Sequence, residues 1–139
     1  MRAGRWFGLV ACCCVTALGH ATGLAWTHIT ASDDGLLNFY FDANSVVEHG
    51  TIRSVRLLFD YTRLQQDPDT LIEHRSIVEL TSIDCLHHTL APVEAASYDG
   101  NMGVGRVVVE ATSPQPLRYA TATPGSVDDR VIDSVCNTR

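Results

Sequence analysis

The reactive side chains of this sequence gather at Asp84-Cys85-Leu86-His87-His88, with a further thiol at Cys136. Thiolate and imidazole are zinc ligands, His beside Asp can do acid–base work, and a Cys can be a nucleophile or half of a disulfide. Geometry separates these chemistries. Read as the opening of an extended strand, the segment sends neighbouring side chains to opposite faces, so His87 and His88 cannot turn toward one ion. Only Cys85 and His87 share a side, and no paired Cys-x-x-Cys reinforces them. No metal is expected. No nucleophile elbow, helical metal motif or paired-acid signature accompanies Asp84, His87 and His88. They read as a surface polar cluster, and the chain as a non-enzyme with no catalytic residue and no cofactor. A small hydrolase is the alternative, which turnover of generic ester, peptide or glycoside substrates would reveal.

A second stretch, Tyr98-Asp99-Gly100-Asn101-Met102-Gly103-Val104-Gly105, has the spaced glycines of a phosphate-binding loop. Such a loop follows a strand and opens a helix. This one leads into Arg106-Val107-Val108-Val109-Glu110, a strand, so it reads as a hairpin turn. Charge points the same way. The 10 basic residues are all Arg, the acids number 16, and the net charge is -6. Nucleic acid and polybasic membrane binding both need a positive footprint that is missing here.

Compartment decides the fate of the thiols. Residues 1–25 carry Arg2 and Arg5, then an apolar run from Trp6 to Leu18, then small residues at Gly23 and Ala25, the pattern of a cleaved secretory leader. The run is shorter than the roughly 20 residues that cross a bilayer. The alternative is lipidation at Cys12, since Leu9-Val10-Ala11-Cys12 has the outline of a lipobox; only then would the chain be held to a membrane. The leader by itself implies export out of the cytoplasm. Cys12, Cys13 and Cys14 leave with the leader, and the pair that remains, Cys85 and Cys136, is read as one disulfide. Closing a loop of about 50 residues stabilises a chain by about 4 kcal/mol in the chain-entropy model.

The elements that must hold these residues are mostly strands. Residues 26–30 and 36–42 flank the turn cluster Ser32-Asp33-Asp34-Gly35, and Asn44-Ser45 and Glu48-His49-Gly50 make the next turn. Residues 51–61 alternate, with Arg53, Val55, Leu57, Phe59 and Tyr61 on one face. Gln65-Gln66-Asp67-Pro68-Asp69 is expected as an exposed loop, residues 71–84 as a strand, and 85–96 as an extended piece. Pro92 inside the last requires a sheet edge or a bulge. After Ser113-Pro114-Gln115-Pro116 the period changes. Ser126 with Asp129 three later approximates a capping box, and Val127, Val131, Ile132 and Val135 make one apolar stripe of a helix. The expected fold is α+β, mainly β: an antiparallel sheet with a C-terminal helix packed on it, in one domain over 26–139.

In order, Trp26, Tyr40-Phe41-Asp42-Ala43-Asn44-Ser45-Val46, Arg56-Leu57-Leu58-Phe59-Asp60-Tyr61, Arg75-Ser76-Ile77-Val78-Glu79 with Asp84-Cys85, Met102-Gly103-Val104-Gly105-Arg106, and Pro124-Gly125-Ser126 with Cys136 resemble the surface-adhesin protein E family of small exported Gram-negative proteins. The resemblance implies about six antiparallel strands, a C-terminal helix and one disulfide, in an exported protein of the periplasm or the outer-membrane surface. It also implies a non-enzymatic role in binding host matrix and serum proteins such as laminin, vitronectin and plasminogen. Two departures stand out. Pro116-Leu117-Arg118-Tyr119 lacks the Trp expected after the proline, and the chain has no Lys for lysine-dependent recognition. The expected partner is thus a protein. If it docks on the sheet, Phe39, Tyr40, Phe41, Phe59, Tyr61 and nearby Arg are the anchor types, with core packing the commoner use of those aromatics. A homodimer through an exposed strand edge is a further expectation, and a periplasmic structural or stress-related protein without host partner is the alternative.

Overall fold

Alternating strands joined by tight turns build one antiparallel sheet. The computed structural model describes residues 24–138, so the leader and Cys12 lie outside the described residues. The strands are β1 (Trp26–Ala31), β2 (Leu37–Asp42), β3 (Val47–His49), β4 (Ile52–Gln66), β5 (Glu73–Asp84), β6 (Thr89–Tyr98), β7 (Val107–Thr112) and β8 (Ala120–Thr121), followed by helix α1 (Val127–Cys136). Six strands make the main path, in the order β1-β2-β4-β5-β6-β7. The short β3 and β8 flank it, pairing with β4 and β6. This is the expected fold class, with two small strands added.

The register assigns the faces. Phe41 pairs with Leu57, and Leu57 with Glu79. Val55 pairs with Thr81 and Arg53 with Ile83. On this face α1 buries Val131, Ile132 and Val135 against Phe41, Val55, Leu57 and Ile83. Ser126 caps the helix as expected, its hydroxyl accepting from the Asp129 amide at 3.2 Å. The Asp129 carboxylate reaches one residue further back than a capping box would, to the Gly125 amide at 2.7 Å. At the other end Arg53 donates to the carbonyls of Val135, in the last turn, and of Thr138, just beyond the helix. Cys85 and Cys136 are bonded, tying that end of α1 to the sheet.

Three local expectations are corrected. Residues Gln65 and Gln66 belong to β4, pairing with His74 and Glu73, so the strand pair projects as an arm and only its tip is a loop. There Asp67 accepts from the amides of Asp69 and Thr70 and from the Thr70 hydroxyl, which closes the turn without glycine. Residues Glu48 and His49 pair with Arg53 and Ile52, and the turn follows at Gly50. Finally, residues 85–88 are a turn and not the start of a strand; β6 begins at Thr89, with His88 at φ +55°. Pro92 is accommodated by a bulge: Leu80 pairs with Glu94 and Thr81 with Pro92, leaving Val93 as the extra residue.

Candidate protein-binding face

The face turned away from α1 carries the features that distinguish this chain. Leu58 pairs with Tyr40 on one side and Val78 on the other, while Asp60 faces Ser76 across β4 and β5. Leu58 is fully buried although no helix covers it. The cover is the loop over residues 99–105, folded back across the sheet. Asp60 accepts from the Met102 amide at 2.6 Å and from the Asn101 side chain at 3.1 Å. The Ser76 hydroxyl donates to the Gly100 carbonyl at 2.6 Å and accepts from the Gly103 amide at 2.9 Å. Gly103, at φ +68°, lets the chain pass so near that an added Cβ would stand 2.8 Å from a Val78 methyl and 3.9 Å from both Leu58 and the Trp26 ring. Asp60, Ser76 and Gly103 lie far apart in sequence and meet in one fastening. Only their presence in successive motifs hinted at this.

Beyond the loop the face is open. A groove of about 640 Å³ runs over it, lined by Leu24, Arg56, Val78, Leu80, Glu94, Tyr98 and Glu110. It continues past Arg56 and Leu80 into a shallower hollow of about 430 Å³ beside Asn44, Val47, His49 and Ser54. Arg56 is exposed and has no ion pair among the described residues. Val78, Leu80, one unpaired guanidinium and two carboxylates line an open hollow rather than an enclosed chamber.

The aromatic candidates divide between the faces. Phe41 is core, and Phe59 packs against that core while meeting Phe39 edge-on at 5.4 Å. Tyr61 meets His74 edge-on at 5.7 Å, and its burial pushes the phenol pKa up. Tyr40 lies on the open face, against His28 at 5.1 Å. None of the five lines the groove; Tyr98, which does, was missed because it read as part of a turn.

The reactive cluster also resolves. His87 Nδ1 meets Asp84 at 2.7 Å, holding the Asp84 carboxyl below its ordinary range. His88 Nε2 meets Asp129 at 2.6 Å. The Asp129 carboxyl is also held low, first by the Gly125 amide and then by His88. Both sulfurs are in the bridge, so neither serves as nucleophile or ligand. On the helix side burial raises the pKa of half-buried Glu79, which accepts from the Thr81 hydroxyl at 2.7 Å.

The described chain is thus a small antiparallel-sheet domain with one α-helix fastened to one face and a groove open on the other. Its family follows from comparison. The model of the family described as surface-adhesin protein E matches residues 26–137, and the chain belongs to that family. The fold is shared with Haemophilus influenzae protein E. One crystal form superposes with a TM-score of 0.58 at 18% identity, covering 78% of this chain and 86% of that one. The selenomethionine form gives 0.57 at 18% identity, covering 78% and 84%. Protein E from a non-typeable strain gives 0.56 at 18% identity, covering 78% and 74%. No curated protein matches the sequence. The family's description is that of a surface adhesin, a binding role.

Proposed function

We propose that this protein is an exported, non-enzymatic adhesin-like module that binds a protein partner through the open face of its sheet. The observation that carries the reading is the groove over Arg56, Val78, Leu80 and Tyr98, left uncovered while the one α-helix among the described residues packs on the other face. Adhesin family membership supports it. The free edges support the face over an edge-paired homodimer, because both are bulged, β1 at Ile29 and β7 at Val108. Bulged edges pair poorly with a second strand. Export fits the same picture. Cleavage after Ala25 would remove Leu24 and leave Arg56, Val78, Leu80, Glu94, Tyr98 and Glu110 on the exported face.

Two experiments test this. Intact mass of envelope-recovered protein should correspond to residues 26–139 and rise by about two daltons on reduction. A lipid-sized addition on a chain starting at Cys12 would overturn the leader assignment. Biolayer interferometry against immobilised laminin and vitronectin should give saturable binding that Arg56→Glu and Tyr98→Ala each weaken by about tenfold or more. No saturable binding, or binding indifferent to both variants, would refute the proposed face.

A further inference from the structure

We propose that His88, Asp129 and Asp133 form a binding site for a divalent transition-metal ion of the zinc type. One donor atom from each, an imidazole nitrogen and two carboxylate oxygens, lies within 4.8 Å of the others. The expectation of no metal in this region rested on an extended segment that sends His87 and His88 to opposite faces. In the turn that replaces it, His87 goes to Asp84 and His88 turns toward the helix. The ligand that completes the set is therefore 41 residues away in sequence, and no local spacing could reveal it.

The frame of the site is rigid for a covalent reason. Cys85 stands three residues before His88 and Cys136 three after Asp133, and their bond clamps the turn to the helix. Asp129 and Asp133 are one helical turn apart and project from the same side of α1. Zinc holds His nitrogen and carboxylate oxygen at about 2.0–2.2 Å, which places tetrahedral ligands about 3.5 Å apart. The His88–Asp129 pair, now 2.6 Å apart, must open by somewhat less than one ångström. Asp133 is exposed, and rotation of its side chain closes the remainder.

Charge and donor type select the ion. A neutral imidazole with two carboxylates compensates a dication fully, and Asp128 on the same turn adds negative field. The neighbouring cation, Arg130, donates to the Thr30 hydroxyl at 2.7 Å, so its guanidinium is engaged at β1. A nitrogen donor favours zinc, nickel or copper over calcium and magnesium, which prefer all-oxygen shells. Three protein ligands leave at least one position for water.

The test uses envelope-recovered, disulfide-intact protein without a histidine tag, titrated with zinc chloride by isothermal calorimetry. One ion per chain should bind in the micromolar range, with calcium and magnesium failing to compete. Asp133→Asn leaves the His88–Asp129 hydrogen bond and the core untouched, yet should weaken zinc by roughly tenfold or more. His88→Ala should abolish the site, while His87→Ala should leave it unchanged. In nitrogen NMR, zinc should shift the His88 ring and spare His87. Absence of saturable binding, or binding that neither Asp133→Asn nor His88→Ala alters, would overturn the assignment.

Discussion

Gly103→Ala is the sharpest probe of how the open face is built. The substitution does two things that the structure separates. It places an L-residue at φ +68°, which costs about 1–2 kcal/mol. It also drives a methyl group to 2.8 Å from Val78 Cγ2, where overpacking adds about 1–3 kcal/mol. Together they predict a loss of about 2–5 kcal/mol. Gly50→Ala supplies the control, because Gly50 has φ +64° with nothing within 4 Å of its would-be Cβ. That variant should lose the backbone component alone. Urea unfolding followed by Trp26 fluorescence measures both, and the Trp26 ring lies beside the same glycine. Trimming Val78 to Ala should then make Gly103→Ala less costly by about the overpacking component, seen as a favourable coupling in the double-mutant cycle. Equal losses for Gly103→Ala and Gly50→Ala, or a cycle with no coupling, would refute the close passage of the loop over Val78.

Three further outcomes follow from the fold. Replacing Cys85 and Cys136 together by Ser should cost about 4 kcal/mol for the 51-residue separation, lowering the melting temperature by roughly 15 °C in a calorimetric scan. A fall of only a few degrees would show that α1 docks without its tether. Ser126→Ala should destabilise by about 1 kcal/mol through the lost N-cap, measured by urea midpoint; an unchanged midpoint would deny the cap its role. Glu79→Gln should raise stability at pH 7, since burial raises the folded-state pKa of Glu79 and disfavours its charged form. The stability that protonated Glu79 contributes is present below the unfolded value of about 4.3 and is lost as pH rises through the folded value. Melting scans from pH 3.5 to pH 7 should therefore show the advantage of Gln growing with pH. A constant or reversed difference would contradict this.

What was legible in the sequence was whatever had a local cause. The two-residue period of residues 51–61 gave the first part of β4 and its division into two faces, and the Ser126 cap with the stripe from Val127 to Val135 gave α1 nearly to the residue. What failed had distant causes. Gln65 and Gln66 look like loop residues and become strand because Glu73 and His74 pair with them. The turn over residues 85–88 has no glycine or proline to announce it; His88 takes the left-handed conformation while its ring is held at Asp129. The groove was illegible for the same reason. Its lining comes from four strands, and the residues that bound it were read one strand at a time.

Dimensions explain why an open face had to exist. A helix of ten residues is about 15 Å long, whereas six strands span about 24 Å between the outermost pair. Even the face carrying α1 is therefore only partly covered by it, and among the described residues no α-helix packs on the opposite face. The sequence answers with a short loop, fastened by Asp60 and Ser76, which hides Leu58. Past its reach, Leu80 and Val78 share the surface with Arg56, Glu94 and Glu110. A purely structural protein could have made that region uniformly polar at little cost, since surface substitutions away from special features scarcely change stability. Retaining apolar floor between charged walls instead reproduces the anatomy of an interface, an apolar centre with a polar rim. The composition of this face is in that sense what the proposed binding role requires.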